Sequence, residues 1–400
     1  MKYVILLGDG MADEKIAELD GKTPLQYAST PNMDRLAAGG ETGMVHTVPD
    51  GFPPGSDVAN LSVMGYNPRE YYTGRSPLEA VSMGVELSDD DVAFRCNLVT
   101  LSEEEVYENK IMVDYSSDEI TTSESHELIR EVANRLGSKE LRFYPGFGFR
   151  HLLVWKTGPV GGKLTPPHDI SGRTIAPYLP KGEGSDTLKR LMKESNRFLP
   201  EHPVNQKRVR AGLRPATSIW FWGQGKKPSI PKFYDKYGVT GSVISAVDLI
   251  KGIGICAGFD IVKVEGVTGT IHTNFRGKVQ AALEELKKGK DLVYIHVEAP
   301  DAASHRGETV TKVKAIEMVD NMLGQLLNKL DEFGMYKIML LPDHPTPLST
   351  KTHSNSPVPF VIYAKGRKNK SAASFDEETA AKSGLVFRAG HELMDYFIRS

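Results

Sequence analysis

Three aspartates and three histidines lie at or beside the ends of four short apolar segments. In an open α/β sheet, ligands bind beyond the strand ends, so these side chains are the first candidates for chemistry. Aspartate and histidine together suit borderline divalent ions such as manganese or zinc. Because six protein ligands exceed what one catalytic site normally uses, the pattern predicts two metal ions. The six residues are Asp9 after YVILL, Asp301 and His305 after LVYIHV, Asp343 and His344 after KIMLL, and His353 just before PFVIYA.

Each of these positions also has a simpler explanation. An aspartate after a first strand often caps a helix or contacts a ribose. Asp301 and His305 could be exposed neighbours on one helix face, and Asp343 with His344 could form a turn. Independent causes would not be expected to place all six residues at equivalent ends of one sheet, so their joint placement favours metal ligation.

The segment FPPGSDVANLSVMGY contains a candidate nucleophile, Ser56. The residues Pro53-Pro54-Gly55 are a turn signal, and the following segment can start a helix with Ser56 as its cap. Amide groups at a helix start can cradle a phosphoryl group, and a coordinated metal would lower the pKa of the serine hydroxyl. No nearby histidine or cysteine and no G-x-S-x-G turn indicates a catalytic triad. The alternative is that Ser56 only caps the helix.

The middle of the chain supplies cationic and polar side chains that could bind a small anion. Guanidinium groups match the oxygens of carboxylates and phosphates, and a loop between Pro-Pro and Ser-Gly carries a histidine and an aspartate. Each of these residues could equally be a surface or structural residue. The candidates are Arg95, Arg150, Arg173, Arg214, His168, Asp169 and, further along the chain, Lys251.

The elements that must position these residues alternate between strands and helices. The four apolar segments are typical of buried strands in a parallel sheet, and helical patterns begin at Lys278 and span Val310 to Gly334. Strands that alternate with helices predict an α/β layered fold. From about residue 91 to 237 the pattern changes to weaker alternation with long Pro/Gly-rich loops, which predicts an inserted α+β domain. We therefore expect a discontinuous domain of residues 1–78 and 238–400, interrupted by a domain of residues 79–237.

Composition excludes several classes of protein. The 400 residues carry 49 basic and 51 acidic side chains, a formal net charge of −2, so no electrostatic footprint predicts nucleic acid or an anionic membrane as partner. No apolar run approaches the ~20 residues that span a bilayer, and the N-terminus lacks the features of a signal peptide. Cys96 and Cys256 predict buried thiols in a reducing compartment. We expect a soluble cytoplasmic protein, and the absence of a P-loop argues against a kinase.

Several motifs together resemble the archaeal-type cofactor-independent phosphoglycerate mutases of the alkaline phosphatase superfamily. The motifs are GDGMAD, STPNMDRLA, GSDVANLSVMGY, YYTGRSPLEA, DVAFRCN, EAPDAASHRGE, LPDH and THSNSPVP. The chain is also similar to a related bacterial group that has been proposed to be homoserine kinases. The first resemblance implies an alkaline-phosphatase-like three-layer α/β domain with a mostly parallel sheet, interrupted by an inserted α+β phosphotransferase domain.

The resemblance also implies roles for individual residues. Ser56 would be the residue that is phosphorylated. One metal would be held by Asp9, Ser56, Asp343 and His344, and the other by Asp301, His305 and His353. The substrate-binding residues would be Arg95, Asn97, Arg150, His168, Asp169, Arg173, Arg214 and Lys251.

The implied activity is the interconversion of 3-phosphoglycerate and 2-phosphoglycerate in glycolysis and gluconeogenesis. It would use two divalent metal ions, with manganese expected first and magnesium, zinc or cobalt also suited, and no bisphosphoglycerate. The partner is then a small phosphorylated acid. The alternatives are a homoserine kinase-like phosphotransferase, a metal-dependent phosphomonoesterase or phosphopentomutase-like enzyme, and a binding protein with a decayed site.

Overall fold

A computed structural model describes residues 1–367 and 372–400 and divides the chain into two compact units. Unit 1 contains residues 1–72 and 229–400, and unit 2 contains residues 73–228. These divisions lie six and nine residues before the predicted boundaries at 78/79 and 237/238. The second predicted boundary placed the helix Phe233–Tyr237 in the inserted domain. In the structure this helix belongs to unit 1, because its Phe233 ring packs 4.7 Å from the ring of Phe259.

The described residues form strands and helices that alternate through most of unit 1. In chain order the strands are β1 Lys2–Gly8, β2 Glu41–Val45, β3 Val92–Leu101, β4 Met112–Asp114, β5 Leu141–Tyr144, β6 Arg150–Trp155, β7 Ser218–Lys226, β8 Gly241–Ile244, β9 Asp260–Ile261, β10 Leu292–Val297, β11 Tyr336–Leu341, β12 Val358–Ala364 and β13 Val386–Phe387. The α-helices are α1 Pro24–Tyr27, α2 Pro31–Gly39, α3 Ser56–Val63, α4 Pro68–Tyr71, α5 Ser76–Ser82, α6 Thr122–Leu136, α7 Ser185–Phe198, α8 Pro203–Arg210, α9 Phe233–Tyr237, α10 Asp248–Ala257, α11 Phe275–Lys287, α12 Ala299–Arg306, α13 Thr309–Leu330, α14 Glu377–Lys382 and α15 Glu392–Arg399. Short 3₁₀ helices span Ala17–Leu19, Tyr107–Asn109, Pro167–Ile170, Ala176–Tyr178 and Asp331–Phe333.

Unit 1 is built on a sheet with the strand order β13-β2-β12-β11-β1-β10-β8-β9. The central strand β1 pairs in parallel with β10 and β11, and β10 pairs in parallel with β8. These strands are apolar on both faces because helices cover them, and α11 and α13 contribute to one core with β1, β10 and β11. The predicted α/β class with a mostly parallel sheet is confirmed.

The prediction that PFVIYA is a parallel strand is wrong. This segment forms β12, which runs antiparallel to both β11 and β2. The reversal explains how a histidine before a strand can join aspartates that come after strands. The first residues of an antiparallel strand lie at the same sheet edge as the last residues of its parallel neighbours, so His353, just before β12, lies at the edge where β1, β10 and β11 end.

Unit 2 is built on an antiparallel sheet with the order β4-β3-β6-β5, and β7 pairs with the other edge of β3. The long strand β3 is buried throughout. Helices α6 and α7 pack on this sheet, and α6 begins with a capping box between Thr121 and Glu124. The unit therefore has its own apolar core around β3, as the inserted α+β pattern predicts. Among the described residues, no helix is long and apolar enough to cross a membrane.

Candidate functional site

All six predicted Asp and His ligands lie at one edge of the unit 1 sheet. Asp9 directly follows β1, and Asp301 and His305 lie one turn apart on α12, the helix that starts after β10. The pair Asp343 and His344 follows β11. Parallel strands end at the same sheet edge, so the three strand ends bring these side chains together.

Ser56 lies with three of these residues in what we call the Ser56 cluster: Asp9, Ser56, Asp343 and His344. Nε2 of His344 is 3.0 Å from Ser56 Oγ, 3.5 Å from Asp9 Oδ1 and 3.4 Å from Asp343 Oδ2. The prediction that Ser56 caps α3 is wrong, because Gly55 occupies the cap position and Ser56 is the first helical residue. The serine hydroxyl therefore points toward the imidazole and the carboxylates.

The remaining three ligand candidates form the His305 cluster: Asp301, His305 and His353. Nε2 of His305 lies 3.0 Å from Nε2 of His353 and 3.3 Å from Asp301 Oδ2. Nε2 of His353 lies 3.5 Å from Asp301 Oδ1. The ring centroids of His344 and His353 are 4.1 Å apart, so the two clusters adjoin.

Hydrogen bonds at the far side of the rings determine which nitrogen faces each cluster. Nδ1 of His305 lies 2.9 Å from the carbonyl oxygen of Lys351, which can only accept, so Nδ1 carries a proton. The Thr346 hydroxyl donates to Asp301 Oδ1 at 2.6 Å and must therefore accept from Nδ1 of His344 at 3.2 Å. A neutral ring held in this way presents the Nε2 lone pair, which is the tautomer of a metal-ligating histidine.

The carboxylates of the two clusters are buried and close to one another. Burial raises the pKa of Asp9 well above its usual range, and the nearby charges of Asp343 and Asp301 raise it further. Burial also tends to raise the pKa of Asp301, but His305 and His353, when their rings are protonated, overcome this and lower it well below its usual range. The ionised form of Asp9 therefore requires a compensating positive charge.

Two buried residues that the sequence did not single out, Asn60 and His296, contact the Ser56 cluster, and a third, Tyr294, bonds Asn60. Asn60 donates to Asp343 Oδ2 at 2.8 Å and accepts a 2.6 Å bond from the Tyr294 hydroxyl. Nε2 of His296 lies 3.1 Å from Asp9 Oδ2. Tyr294 and His296 belong to the apolar segment LVYIHV, and the only available signal was a polar atom at alternate positions of a buried strand.

Four of the predicted substrate-binding residues lie in unit 2 around Trp222, and we call this group, with Glu79, the Trp222 cluster. The Arg95 guanidinium lies 5.4 Å from the Trp222 ring, and the indole donates to Asn97 Oδ1 at 3.1 Å. The centroid of the His168 ring lies 5.3 Å from that of Trp222 and 6.0 Å from that of Tyr115. Tyr115 packs on Phe149, over which Arg150 lies at 4.6 Å.

A buried carboxylate, Glu79, holds Arg95 and a further member of the Trp222 cluster, Arg75, whose guanidinium lies 5.9 Å from the Trp222 ring. It accepts from Nε of Arg95 at 2.7 Å, with a second contact from the same guanidinium, and from Nε of Arg75 at 3.0 Å. Burial would raise the pKa of Glu79, but the two arginines lower it below its usual value. Burial lowers the pKa of Arg95 to about 10. Arg75 was missed, although its motif YYTGRSPLEA was among those that carried the family resemblance.

The other predicted substrate-binding residues have different contacts. Asp169 is exposed, with a carboxylate oxygen 3.6 Å from His168, and Arg173 donates to the Tyr178 hydroxyl at 3.2 Å. Arg214 pairs with Asp114 at 3.1 Å. In unit 1, Lys251 donates to Asp248 on its own helix at 3.1 Å. The substrate roles of these four remain predictions.

Comparison with known proteins identifies the family. Residues 37–205 match the family model described as 2,3-bisphosphoglycerate-independent phosphoglycerate mutase, and residues 178–353 match that described as type I phosphodiesterase / nucleotide pyrophosphatase. A "probable 2,3-bisphosphoglycerate-independent phosphoglycerate mutase" of Geobacter sulfurreducens is 53% identical over 400 residues, 100% of both chains. The chain belongs to the 2,3-bisphosphoglycerate-independent phosphoglycerate mutase family. The family that the motifs indicated is thus confirmed.

Solved structures agree with membership of this phosphoglycerate mutase family. A structure of a protein from Pyrococcus horikoshii has a TM-score of 0.82 and 32% identity, covering 99% of this chain and 96% of that one. The cofactor-independent phosphoglycerate mutase of Thermoplasma acidophilum has a TM-score of 0.65 and 26% identity, covering 100% and 99%. Both matches cover nearly the whole chain, so the likeness extends over the residues of both units.

The residues of this family member fit divalent metal ions. Oδ1 of Asp9 is buried without a hydrogen-bond partner among the described residues, although it lies in the Ser56 cluster. In the His305 cluster, two Nε2 atoms face each other at 3.0 Å, an arrangement that a shared cation would stabilise. Carboxylate oxygens and imidazole nitrogens form the donor set that manganese and zinc accept. Asp9, Ser56, Asp343 and His344 would hold one ion, and Asp301, His305 and His353 the other.

Proposed function

We propose that this protein interconverts 3-phosphoglycerate and 2-phosphoglycerate without bisphosphoglycerate, through a phosphoserine at Ser56. The observation that carries the proposal is the position of the Ser56 hydroxyl, 3.0 Å from His344 Nε2 and beside two buried carboxylates, in a member of this family. A serine that served only as a helix cap would direct its oxygen to the amides of α3.

The steps follow from the residues of the Ser56 cluster. Two divalent cations would lower the pKa of the Ser56 hydroxyl and offset the charge on the phosphoryl oxygens. Ser56 Oγ attacks phosphorus, the bond from phosphorus to the substrate oxygen breaks, and that oxygen takes up a proton to become a hydroxyl. Glycerate then presents its other hydroxyl, which loses a proton and attacks phosphorus, and the bond between phosphorus and Ser56 Oγ breaks. Ser56 Oγ, which lost its proton in the first transfer, regains one here, so the two transfers balance.

The start of α3 supports the first transfer. The first amide groups of a helix have no backbone partner within it and can donate to phosphoryl oxygens; in α3 the Val58 amide already donates to Asp57 Oδ1 at 3.0 Å, so the amides before it are the candidates. Asn60, one turn later, donates to the Ser56 carbonyl at 2.9 Å and so holds the residue that bears the nucleophile. We expect this turn to bind the phosphoryl group and to keep Ser56 in line for attack.

The Trp222 cluster supports a carboxylic acid as substrate. Arg95 and Arg75 together carry two positive charges against the single carboxylate of Glu79, so the group retains a net positive charge that a substrate carboxylate can neutralise. We propose that Arg95, Asn97, Arg150 and His168 recognise the acid, and we retain Asp169, Arg173, Arg214 and Lys251 as further candidates. Manganese is the metal we expect first, and glycolysis and gluconeogenesis in the cytoplasm are the processes served.

The test is an assay of 2-phosphoglycerate formation from 3-phosphoglycerate with added manganese and without bisphosphoglycerate. We expect turnover by the wild type, its loss in Ser56→Ala with metal content retained, and wild-type turnover in the control Ser349→Ala. Mass spectrometry of enzyme quenched during turnover should locate phosphate on Ser56. Full activity in Ser56→Ala would refute the mechanism.

The same preparation separates the alternatives. Nucleotide-dependent phosphorylation of homoserine without mutase activity would identify a homoserine kinase-like enzyme. Net release of phosphate, or isomerisation of a pentose phosphate, would identify a phosphomonoesterase or a phosphopentomutase-like enzyme. A protein that takes up no metal would be a binding protein with a decayed site.

A further inference from the structure

We infer that Tyr294 and His296, two side chains of β10, are positioning residues that orient the two carboxylates of the Ser56 cluster for metal binding. The inference rests on the proposed function, since it assumes that the cluster holds a divalent cation. Tyr294 acts on Asp343 through Asn60, and His296 acts directly on Asp9. Neither residue was among the predicted ligands.

The contact between His296 and Asp9 is the first observation. The His296 side chain is fully buried, and its Nε2 lies 3.1 Å from Asp9 Oδ2. In the part of the chain that the structure describes, this nitrogen has no hydrogen-bond partner. A buried polar atom without a partner is costly in free energy. The burial of this imidazole beside Asp9 is therefore explained if the ring orients the Asp9 carboxylate.

The surroundings of the other ring nitrogen favour the tautomer in which the proton of His296 faces Asp9. The Ser245 hydroxyl accepts from the Val247 amide at 3.0 Å, and it lies 3.4 Å from His296 Nδ1. The Ser245 hydroxyl can donate its own proton to Nδ1, and we infer this arrangement, in which the ring proton is on Nε2 and faces Asp9. With Oδ2 facing this nitrogen at 3.1 Å, Oδ1 of Asp9 is the oxygen directed to His344 at 3.5 Å and available to a cation.

Tyr294 orients the second carboxylate by fixing the amide of Asn60. The Asn60 nitrogen donates to two groups that can only accept, Asp343 Oδ2 at 2.8 Å and the Ser56 carbonyl at 2.9 Å. The Asn60 oxygen must then face Tyr294, whose hydroxyl donates to it at 2.6 Å. Loss of the phenol would leave that oxygen unpaired and allow the amide to turn away from Asp343.

The strand geometry explains why one element can serve both carboxylates. Residues two apart on a strand project from the same face of the sheet, and β10 lies beside β1, which carries Asp9 at its end. Tyr294 and His296 are both fully buried, so surrounding atoms restrict their rotamers. Such outer residues typically contribute 10–100-fold to metal affinity without touching the ion.

The experiment is a titration of metal-free protein with Mn²⁺, followed by electron paramagnetic resonance of the free ion. The variants are His296→Leu, His296→Gln and Tyr294→Phe. Gln keeps an amide donor for Asp9, whereas Leu keeps only bulk. Matched controls are His151→Gln, a buried strand histidine of unit 2 whose Nε2 also lacks a partner among the described residues, and Tyr3→Phe, a buried tyrosine of β1 that bonds the Ile398 carbonyl.

We expect the wild type to bind two Mn²⁺ ions. His296→Leu should weaken one of the two by about 10–100-fold and Tyr294→Phe should weaken it by about tenfold, while the second ion keeps its wild-type affinity. His296→Gln should retain most of the affinity, and both controls should match the wild type. Thermal unfolding of the metal-free variants separates this selective loss from a general loss of folding.

Three results would overturn the inference. The first is wild-type affinity for both ions in His296→Leu and Tyr294→Phe. The second is equal weakening of both ions, which would indicate a general structural effect. The third is an equal loss in His296→Gln and His296→Leu, which would make His296 a ligand instead of a positioning residue. In each case a wild type that binds two ions and isomerises phosphoglycerate would leave the proposed function intact.

Discussion

Glu79→Gln is the substitution that most directly tests how unit 2 holds its arginines. The Glu79 carboxylate is buried, and it is the acidic partner of both Arg95 and Arg75. Glutamine has the same shape and can still accept one hydrogen bond, but it removes the negative charge. The buried Arg95 guanidinium, only 6% exposed, then loses the charge that compensates it.

The size of the effect follows from this burial. Breaking a buried ion pair by removing one partner costs about 3–5 kcal/mol, because the remaining charge stays buried and unpaired. We expect about 3 kcal/mol for Gln, since one hydrogen bond to Arg95 can persist. A loss of this size in a unit of roughly 150–250 residues lowers the unfolding midpoint by roughly 6–12 °C.

Tryptophan fluorescence can follow this transition in the intact chain. All three tryptophans, Trp155, Trp220 and Trp222, belong to unit 2, so a thermal melt of the full-length protein reports on that unit. The matched control is Glu194→Gln, which removes the partner of Arg190 from an exposed pair on α7 at 3.0 Å. Exposed pairs contribute less than about 1 kcal/mol, so the control should barely shift the midpoint.

A second variant distinguishes burial of charge from simple loss of packing. Replacing Glu79 and its buried partner with apolar residues, as in Glu79→Leu with Arg95→Met, should restore most of the stability, because the fully buried charge is removed and Arg75 is partly exposed to solvent. It should also raise the KM for 3-phosphoglycerate, since Arg95 is a proposed carboxylate ligand. A midpoint for Glu79→Gln no lower than that of Glu194→Gln would refute the reasoning.

Three further predictions concern unit 1. Gly10→Ala should lower Mn²⁺ affinity at least tenfold in a titration, because Gly10 has φ +62° and a Cβ there would lie 2.6 Å from Thr346 Oγ1. Lys312→Met should cost about 3–5 kcal/mol in urea unfolding of the metal-free protein, because the buried Asp13 loses a partner at 2.7 Å. Burial raises the pKa of Glu377 to about 7, so the folded state holds this proton more tightly and the wild type loses stability as pH rises from about 4.5 through 7. Glu377→Gln cannot titrate there, so urea unfolding should show it gaining stability relative to wild type between about pH 5 and pH 8.

The sequence could predict the metal ligands because they occupy positions that a pattern reveals. Asp9 and Asp343 directly follow apolar segments, and the spacing of Asp301 and His305 matches one helical turn. His353 was predicted from a strand end as well, but for a reason that was incomplete. Its place beside Asp301 depends on the antiparallel direction of β12, and an apolar segment does not reveal the direction of its strand.

The outer residues could not be predicted in the same way. Tyr294 and His296 lie inside a strand, where a tyrosine or histidine is ordinarily interpreted as part of the packed core. Asn60 lies within a helix, where an asparagine gives no signal of its partners. Their roles depend on which side chains of other strands face them, which is a property of the tertiary structure. Arg75 illustrates the same limit in unit 2, because only the fold brings it and Arg95 to the same carboxylate.

Thr346 makes the two metal clusters interdependent. Its single hydroxyl donates to Asp301 of the His305 cluster and accepts from His344 of the Ser56 cluster. If the His344 ring turned, the hydroxyl would lose its donor and could rotate away from Asp301, and a shift of Asp301 would equally release Nδ1 of His344. Because one buried oxygen fixes a carboxylate in one cluster and a tautomer in the other, the two clusters share a preorganising hydroxyl, and its loss, as in Thr346→Val, is expected to alter the geometry of both.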